Sequence, residues 1–542
     1  MRKVNRPWYK FYPKKTPYEV EFPLLSLYDL LERSAQNYPN RKAVIDGDLE
    51  LTYSELKKAS DRLAASLYLR GVGKGERIAL MLPNCVEYII SYYAILRLGG
   101  AVVQVNPVYQ SSELEYILQD SEATWMIGHD HQIEKIEKSG FADKLTFVSA
   151  NRKNVSKENI YSWIAEKNHE PPTIDINPKE DLAVLQYTGG TTGRSKGVML
   201  THFNLVSNVV QDFTFTVNAL NLQTPGERML GLTPLFHVFG NARLNSAVFA
   251  ASTYITIEKF EINKVVDLIR KHRPTIFPGV PTMYIALLNH PDLTAKDLKC
   301  FKYCSCGSAP LPIEVIYKFE QNFGIQISEG FGMSETAPTT HRNPVVGQRK
   351  PGSIGIPYPN TDAKIVDLEG GSEELPPGHT GELIIKGPQV MKGYWNNQEE
   401  TNAALRDGWL YTGDIATMDE EGYFFIVGRK KDLIIASGFN IYPIEIENVI
   451  YQHPAVAEVC VFGIPDPYRG ETVKATIVLK KGMYVTEEHI IEWCNERFAK
   501  YKVPRLIEFR EQLPKTMVGK ILRRKLQEEE VEKLKVIGNT GK

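Results

Sequence analysis

The sequence predicts an α/β protein: a large N-terminal domain of βαβ-type, parallel-rich sheets with a β-barrel-like lobe, then a small α+β C-terminal domain. Three observations carry this. The chain has 542 residues, more than one hydrophobic core ordinarily serves. Short apolar runs alternate with helical patterns through the first 130 residues and again after Asp181. From Gly352 to Val427 the pattern turns strand-rich, punctuated by glycine and proline, and a compact mixed pattern follows Asp432.

Taken in order, residues 43–45 are a short apolar run, and Ser54 opens a helix with Leu56, Ala59, Leu63 and Ala64 on one face, stopped at Gly71. Residues 78–82 suit a strand, 86–98 a helix ending at Gly99 and Gly100, 101–105 a strand, 112–118 a helix and 124–127 a strand. The polar stretch 149–180 reads as a connection. Beyond the charged segment Gly428-Arg429-Lys430-Lys431-Asp432, the spacing predicts a strand over 433–435, a helix from Pro443 and strands over 459–462 and 473–479. A helix over 487–498 and a strand over 506–509 complete the unit. Proline suits a first helical turn, where its missing N–H has no partner to lose. Thr486 is a good N-cap, and Glu487 and Glu488 favour the positive helix end. The expected division is 1–428 for the large domain, 429–431 for a hinge and 432–542 for the small domain.

Apolar residues make up 43% of the chain and charged residues 24%, which argues against disorder. A net charge of −1 gives no global attraction to nucleic acid. The most apolar stretch, 86–105, is interrupted by Glu87 and Arg97, so no bilayer span is expected. The N-terminus lacks a signal-peptide core; Arg2, Lys3, Arg6, Lys10, Lys14 and Lys15 are mixed with Trp8, Tyr9, Phe11 and Tyr12. Such an arm either touches an anionic membrane surface or, more commonly, packs against its own domain. Six cysteines in a chain this long make no disulfide framework, and the spacing of Cys300, Cys304 and Cys306 is wrong for a zinc knuckle. Residues 303–306 read as a buried strand instead. The expectation is a reduced, cytoplasmic protein, with peripheral membrane contact left open.

The strongest local signal is the loop Tyr187-Thr188-Gly189-Gly190-Thr191-Thr192-Gly193-Arg194-Ser195-Lys196-Gly197, which follows an apolar run. Glycines let backbone N–H groups approach phosphate oxygens, hydroxyls add short donors, and Arg194 and Lys196 add charge. A kinase or GTPase P-loop needs lysine directly before serine or threonine; here Lys196 precedes Gly197, which disfavours that rival.

This loop resembles the signature of the adenylate-forming superfamily: acyl-CoA synthetases, peptide-synthetase adenylation domains and beetle luciferases. Gly189 stands where many members have serine, and Ser195 where many have proline. Six further motifs follow in the family's order: Pro234-Leu235-Phe236-His237, Gly307-Ser308-Ala309-Pro310, Gly330-Phe331-Gly332-Met333-Ser334-Glu335-Thr336, Tyr411-Thr412-Gly413-Asp414, Gly428-Arg429-Lys430-Lys431-Asp432 and Pro514-Lys515-Thr516-Met517-Val518-Gly519-Lys520. The overall sequence looks most like bacterial long-chain fatty-acid–CoA ligases, although medium-chain, aryl and coumarate-type ligases share every motif.

The resemblance implies ATP and coenzyme A as reactants and Mg2+ as a cofactor, with a small-molecule carboxylic acid, a medium- to long-chain fatty acid, as substrate and fatty acid metabolism as the setting. Glu335 and Thr188 match the magnesium and phosphate-side ligands, hard oxygens of the kind that ion prefers. Gly189, Gly190, Thr191, Thr192, Gly193 and Lys196 match the phosphate loop, and Ser334 keeps a hydroxyl toward the α-phosphate. Phe331, where members often have tyrosine, matches the ring on adenine, with Gly307, Ser308 and Ala309 on the other side and Gly330, Gly332 and Met333 around it. Asp414 matches the ribose-binding acid, the alternative being a plain turn residue, and Arg429 a nucleotide-holding arginine. Lys520 matches the lysine that bridges the α-phosphate and the attacking carboxylate. His237 matches the region where the acyl group meets the CoA channel, or is a buried structural histidine.

In the family the small domain rotates between the two half-reactions about a residue matching Lys431, and Gly438 matches the loop lining the thiol channel. Val238, Phe239, Gly240, Val280, Tyr284 and Met333 would line an acyl pocket, with Tyr284 a gate or a core residue. No charged residue in these segments is placed to read a second polar group, so an apolar acid is expected. About 22 residues follow Lys520, which favours free CoA over a fused carrier domain, a separate carrier protein staying open. Many relatives are homodimers, an analogy only.

Overall fold

The computed structural model describes residues 6–153, 155–166, 170–188, 195–436, 439–516 and 519–540, the side chains of 534–540 excepted. Two parallel-rich sheets form the large part. In one, the strands run in the order Gly393–Tyr394, Gly197–Thr201, Leu182–Tyr187, Ala101–Gln104, Arg77–Met81, Trp125–Gly128 and Thr146–Ser149. All neighbours from Leu182–Tyr187 onward are parallel, and the first two strands join antiparallel. The other sheet has nine strands; its central run places Thr253–Thr256, Arg228–Gly231, Ile276–Gly279, Tyr303–Cys306 and Ile327–Gly332 side by side and parallel. Parallel strands need covering on both faces, which explains the helix Val86–Arg97, buried along almost its whole length.

The strand-rich region after Gly352 forms a five-stranded antiparallel sheet of Asp362–Val366, Gly381–Lys386, Trp409–Met418, Leu405–Arg406 and Phe424–Arg429. Among the described residues no hydrogen-bonded pairing joins its first strand to its last. The connection over 149–180 contains a short helix, Ile160–Ala165, whose Trp163 is fully buried.

The N-terminal arm packs. Trp8 is fully buried against Phe424, ring centroids 6.0 Å apart, and Arg6 Nε donates to Asp362 at 2.6 Å. Of the two uses open to this segment, packing against its own domain is the one taken from Arg6 onward. No described helix is long and apolar enough to cross a membrane. All six cysteines are free thiols, and no described cluster of histidine, cysteine and acidic residues could hold a metal.

The C-terminal unit has its own sheet, in the order Phe439–Ile441, Ile434–Ala436, Gly470–Leu479 and Val456–Asp466, with Leu506–Phe509 parallel to Gly470–Leu479. Pro443 opens the helix Pro443–Tyr451, and the Thr486 hydroxyl accepts from His489 N at the start of Glu487–Asn495. A separate apolar core, including Ile446, Val459, Val473 and Ile490, lets this unit cohere as a body of its own.

Candidate active site

The site lies where the parallel strands end, as it does in other open α/β sheets. Leu182–Tyr187 and Gly197–Thr201 are antiparallel arms of the glycine-threonine loop, closed by Thr188 N donating to Lys196 O at 3.0 Å and by the Ser195 hydroxyl donating to Thr188 O. Gly189, Gly190, Thr191, Thr192, Gly193 and Arg194 lie outside the described residues. Lys196 pairs with Glu400 at 2.6 Å and sits 4.8 Å from the Tyr394 ring centroid. The Tyr394 hydroxyl in turn donates to Glu335 Oε1 at 2.9 Å. The base of the glycine-threonine loop and the buried Glu335 carboxylate are thereby joined through one aromatic side chain. Nothing in the sequence links Tyr394 to either partner, because a single tyrosine in a Gly-Tyr-Trp run reads as packing.

Glu335 occupies the short turn Ser334–Thr336, set after the strand Ile327–Gly332. Gly332 has a packing reason to be glycine: a Cβ there would come within 2.0 Å of Pro338 O. Phe331, Met333 and Ser334 are half-buried, and Gly330 and Gly307 face each other across neighbouring strand ends, a Cβ on Gly307 lying 3.6 Å from Gly330 O. Ser308 takes the left-handed backbone conformation, φ 69°, turning the 307–309 segment along the cleft.

Asp414 and Arg429 are cross-strand partners, and Arg429 Nε donates to Asp414 Oδ1 at 2.9 Å. The other oxygen, Asp414 Oδ2, is buried with no partner. A buried acceptor left unsatisfied is costly, so this atom is suited to donors brought by a ligand, such as ribose hydroxyls. Burial raises the Asp414 carboxyl above its usual range, while Arg429 and Lys520 pull it back.

Lys520, in the C-terminal unit, lies near enough for its charge to act on Asp414. Its neighbour Gly519 lies against Thr282 of the large part, where a Cβ would fall 2.8 Å from Thr282 Cγ2. Burial, then the nearby Arg429 charge, lower the Lys520 ammonium to about 8. Burial and the Lys520 charge lower His237 to about 4, so its imidazole is neutral near pH 7. His237 Nδ1 accepts from Phe239 N at 3.3 Å, capping the helix Val238–Phe249. It therefore has a structural task as well as a place beside Lys520.

The segment expected to be a hinge is pinned on both sides. Lys430 Nζ donates to Glu382 Oε2 at 3.2 Å, and Glu382 Oε1 accepts from Gly413 N at 3.0 Å, next to Asp414. Asp432 pairs with Arg523 of the C-terminal helix at 2.7 Å. Lys431 lies between the two anchors. Gly438 lies outside the described residues.

Of the expected acyl-pocket residues, Val238, Phe239, Gly240 and Val280 are buried and Met333 is half-buried. Tyr284 is fully buried, and its hydroxyl donates to Ser305 O at 2.8 Å. It packs between Phe277 and Phe319, so of the two alternatives the structure places it in the core rather than at a gate.

The sequence matches the AMP-binding enzyme family over residues 31–395 and the AMP-binding enzyme C-terminal domain over 445–520. It is 45% identical to a long-chain-fatty-acid–CoA ligase of Bacillus subtilis, over 97% of this chain and 99% of that one. A long-chain-fatty-acid–CoA ligase of Escherichia coli O6:H1 is 38% identical over 97% and 98% of the two chains. Among solved structures, ATP-bound MatB from Rhodopseudomonas palustris superposes with a TM-score of 0.86 at 33% identity, covering 93% of this chain and 99% of that one. On geometry and sequence together, the chain belongs to the AMP-binding enzyme family.

Proposed function

We propose that this chain is an ATP-dependent, AMP-forming acid–CoA ligase that activates a fatty acid as its acyl-adenylate and passes the acyl group to coenzyme A. The observation that carries the reading is the meeting of Lys520, from the C-terminal unit, with the Asp414–Arg429 pair of the large part.

The first half-reaction brings a carboxylate against the α-phosphate of ATP, two anions that repel in water. A carboxylate oxygen bonds to the α-phosphorus as pyrophosphate leaves. Lys520 suits this step: its ammonium can lie between the two anions, and its partly desolvated setting strengthens that attraction. Asp414 Oδ2 would accept from the ribose hydroxyls and fix the nucleotide's orientation. Glu335 and Thr188 would hold magnesium, which neutralises phosphate charge when bound. In the second half-reaction the thiol sulfur bonds to the acyl carbon, AMP leaves and the thiol proton is released. CoA needs the space Lys520 fills, so the small unit must turn. Lys431 is the natural pivot, because Lys430 is tied to the large part and Asp432 to the small one.

The relatives named long-chain-fatty-acid–CoA ligases favour a fatty acid, and six free thiols suit a reducing compartment such as the cytoplasm. The test is acid-dependent exchange of labelled pyrophosphate into ATP, followed by identification of the nucleotide product. AMP is expected; ADP would refute the reading.

A further inference from the structure

We propose that Tyr394 is a positioning residue for adenylation: it holds Glu335 and the loop arm carrying Thr188 and Lys196 at a fixed spacing, so that the two oxygens expected to take magnesium are presented together. This rests on the ligase reading above. Backbone, ring and hydroxyl of Tyr394 each make a separate tie. Gly393–Tyr394 pairs antiparallel with Gly197–Thr201, Tyr394 opposite Val198, and Trp395 N donates to Gly197 O at 2.7 Å. The residue is 8% exposed, and its ring centroid lies 4.8 Å from Lys196 Nζ. The hydroxyl donates to Glu335 Oε1 at 2.9 Å.

The hydroxyl is the informative part. Packing and the contact with Lys196 need only an aromatic ring, and phenylalanine would supply both. Among the described residues, Glu335 Oε1 is the one partner of that hydroxyl, and Glu335 Oε2 accepts from no group. Glu335 is 9% exposed and forms no ion pair with any described residue. Arg429, already bonded to Asp414, feels the Glu335 charge without bonding to it. A buried carboxylate with no bonded cation is unfavourable, so this one suits a hard cation brought with the nucleotide.

Thr188 is tied to the same tyrosine by another path. Lys196 N donates to Thr188 Oγ1 at 3.3 Å, and Thr188 N donates to Lys196 O at 3.0 Å, so the two residues are held as one unit. Lys196 in turn rests near the Tyr394 ring and pairs with Glu400 at 2.6 Å. The Glu335 backbone is fastened as well, since Met391 N donates to Glu335 O at 2.9 Å. Tyr394 is itself fixed: its N–H donates to Thr401 Oγ1 at 2.9 Å, and the Thr401 hydroxyl donates to Asn397 O at 2.8 Å. A glutamate side chain has several free torsions, and an anchored oxygen restricts them before the metal arrives. Hydrogen bonds to ligating carboxylates do this in metal sites generally, and losing one typically costs roughly 10- to 100-fold in metal affinity.

The test takes the full chain, Tyr394→Phe, Glu335→Gln and the double variant, and titrates ATP calorimetrically in excess Mg2+ and in EDTA, with no acid present. The ratio of the two affinities measures how far the metal strengthens nucleotide binding. Tyr394→Phe should lower that ratio by about tenfold or more, with binding in EDTA unchanged. Glu335→Gln should lower it at least as far, and adding Tyr394→Phe to it should cost nothing further, because the hydroxyl acts through Glu335. In pyrophosphate exchange, the Mg2+ giving half-maximal rate should rise by a similar factor in Tyr394→Phe, with the KM for the acid unchanged. No strengthening by Mg2+ in the parent, an unchanged ratio in Tyr394→Phe, additive losses in the double variant or a parallel loss of binding in EDTA would overturn the proposal. So would a Tyr394→Phe chain that does not fold, since the hydroxyl would then brace the structure. If the parent forms AMP but the ratio does not move, the positioning role alone falls; if no acid yields AMP, the ligase reading falls with it.

Discussion

Replacing Lys520 by alanine separates the two half-reactions. In the docked arrangement the Lys520 ammonium is lowered to about 8 from its ordinary 10.5. That difference of 2.5 units means docking disfavours the charged lysine by ~3 kcal/mol at neutral pH, at about 1.4 kcal/mol per unit. Only an anion at the site returns this energy, so the cation is held where the carboxylate and the α-phosphate must meet. Removing a preorganised charge of this kind typically lowers a rate by about 10²–10³. Lys520→Ala should therefore reduce acid-dependent pyrophosphate exchange by about 10²–10³, at saturating ATP and acid. Thiolation of chemically supplied acyl-AMP should stay within roughly threefold of the parent, because Lys520 has to leave before the thiol arrives. The assay measures both half-reactions on the same preparation. A loss of equal size in both would refute the assignment, since it would mean Lys520 holds the fold or the adenylate rather than the adenylation step.

The remaining predictions follow from the same site. The kcat/KM for adenylation should be level below pH 8 and fall about tenfold per unit above it, as Lys520 loses its proton; a profile flat to pH 9.5 would exclude the ammonium. The linkage has the opposite sign for docking: the docked value lies below the free one, so substrate-free closure is weakest below pH 8 and strengthens between 8 and 10.5, readable by scattering or an interdomain fluorescent pair. Asp414→Asn should raise the KM for ATP by about 10- to 100-fold through weakened ribose hydrogen bonds, with the KM for the acid little changed; equal shifts in both would point to collapse of the Arg429 pair. Lys431→Pro should slow thiolation more than adenylation, because proline fixes one of the torsions a pivot must change; unchanged rates in both would move the hinge elsewhere.

Much of the fold was legible because its signals are local. The helix from Pro443 and the strand over 506–509 begin where the spacing places them, since a first-turn proline and a short apolar run need no distant partner to be read. The helix Ile160–Ala165 was missed inside a polar connection because its stability comes from Trp163, buried against the helix Tyr53–Leu69. The strand order of the sheet after Gly352 depends on which strands pair, a property of tertiary contact rather than of any strand's own pattern. Tyr284 was ambiguous for the same reason, because only the carbonyls of Phe277 and Ser305 show where its hydroxyl goes.

The site divides in a more instructive way. The candidates Thr188, Glu335, Asp414 and Lys520 were named because each stands in a short motif that resembles the family's, not because composition or spacing alone assigns them a task. The helix that follows His237 cannot be read from a motif. The segments flanking His237 look apolar up to Gly240, and an apolar acid is their natural implication. The next turn of the same helix carries Arg243, and an arginine at helical spacing reads as a solvated face. What makes it otherwise is Asp212, thirty-one positions away on another helix, which draws one edge of the guanidinium into the interior and leaves the other edge facing a small cavity. A buried ion pair is weak evidence for stability, because hydrophobic replacements often serve as well. Asp212 answers two buried guanidinium groups at once, so removing it would leave both charges uncompensated, and that cost is what fixes Arg243 in the interior.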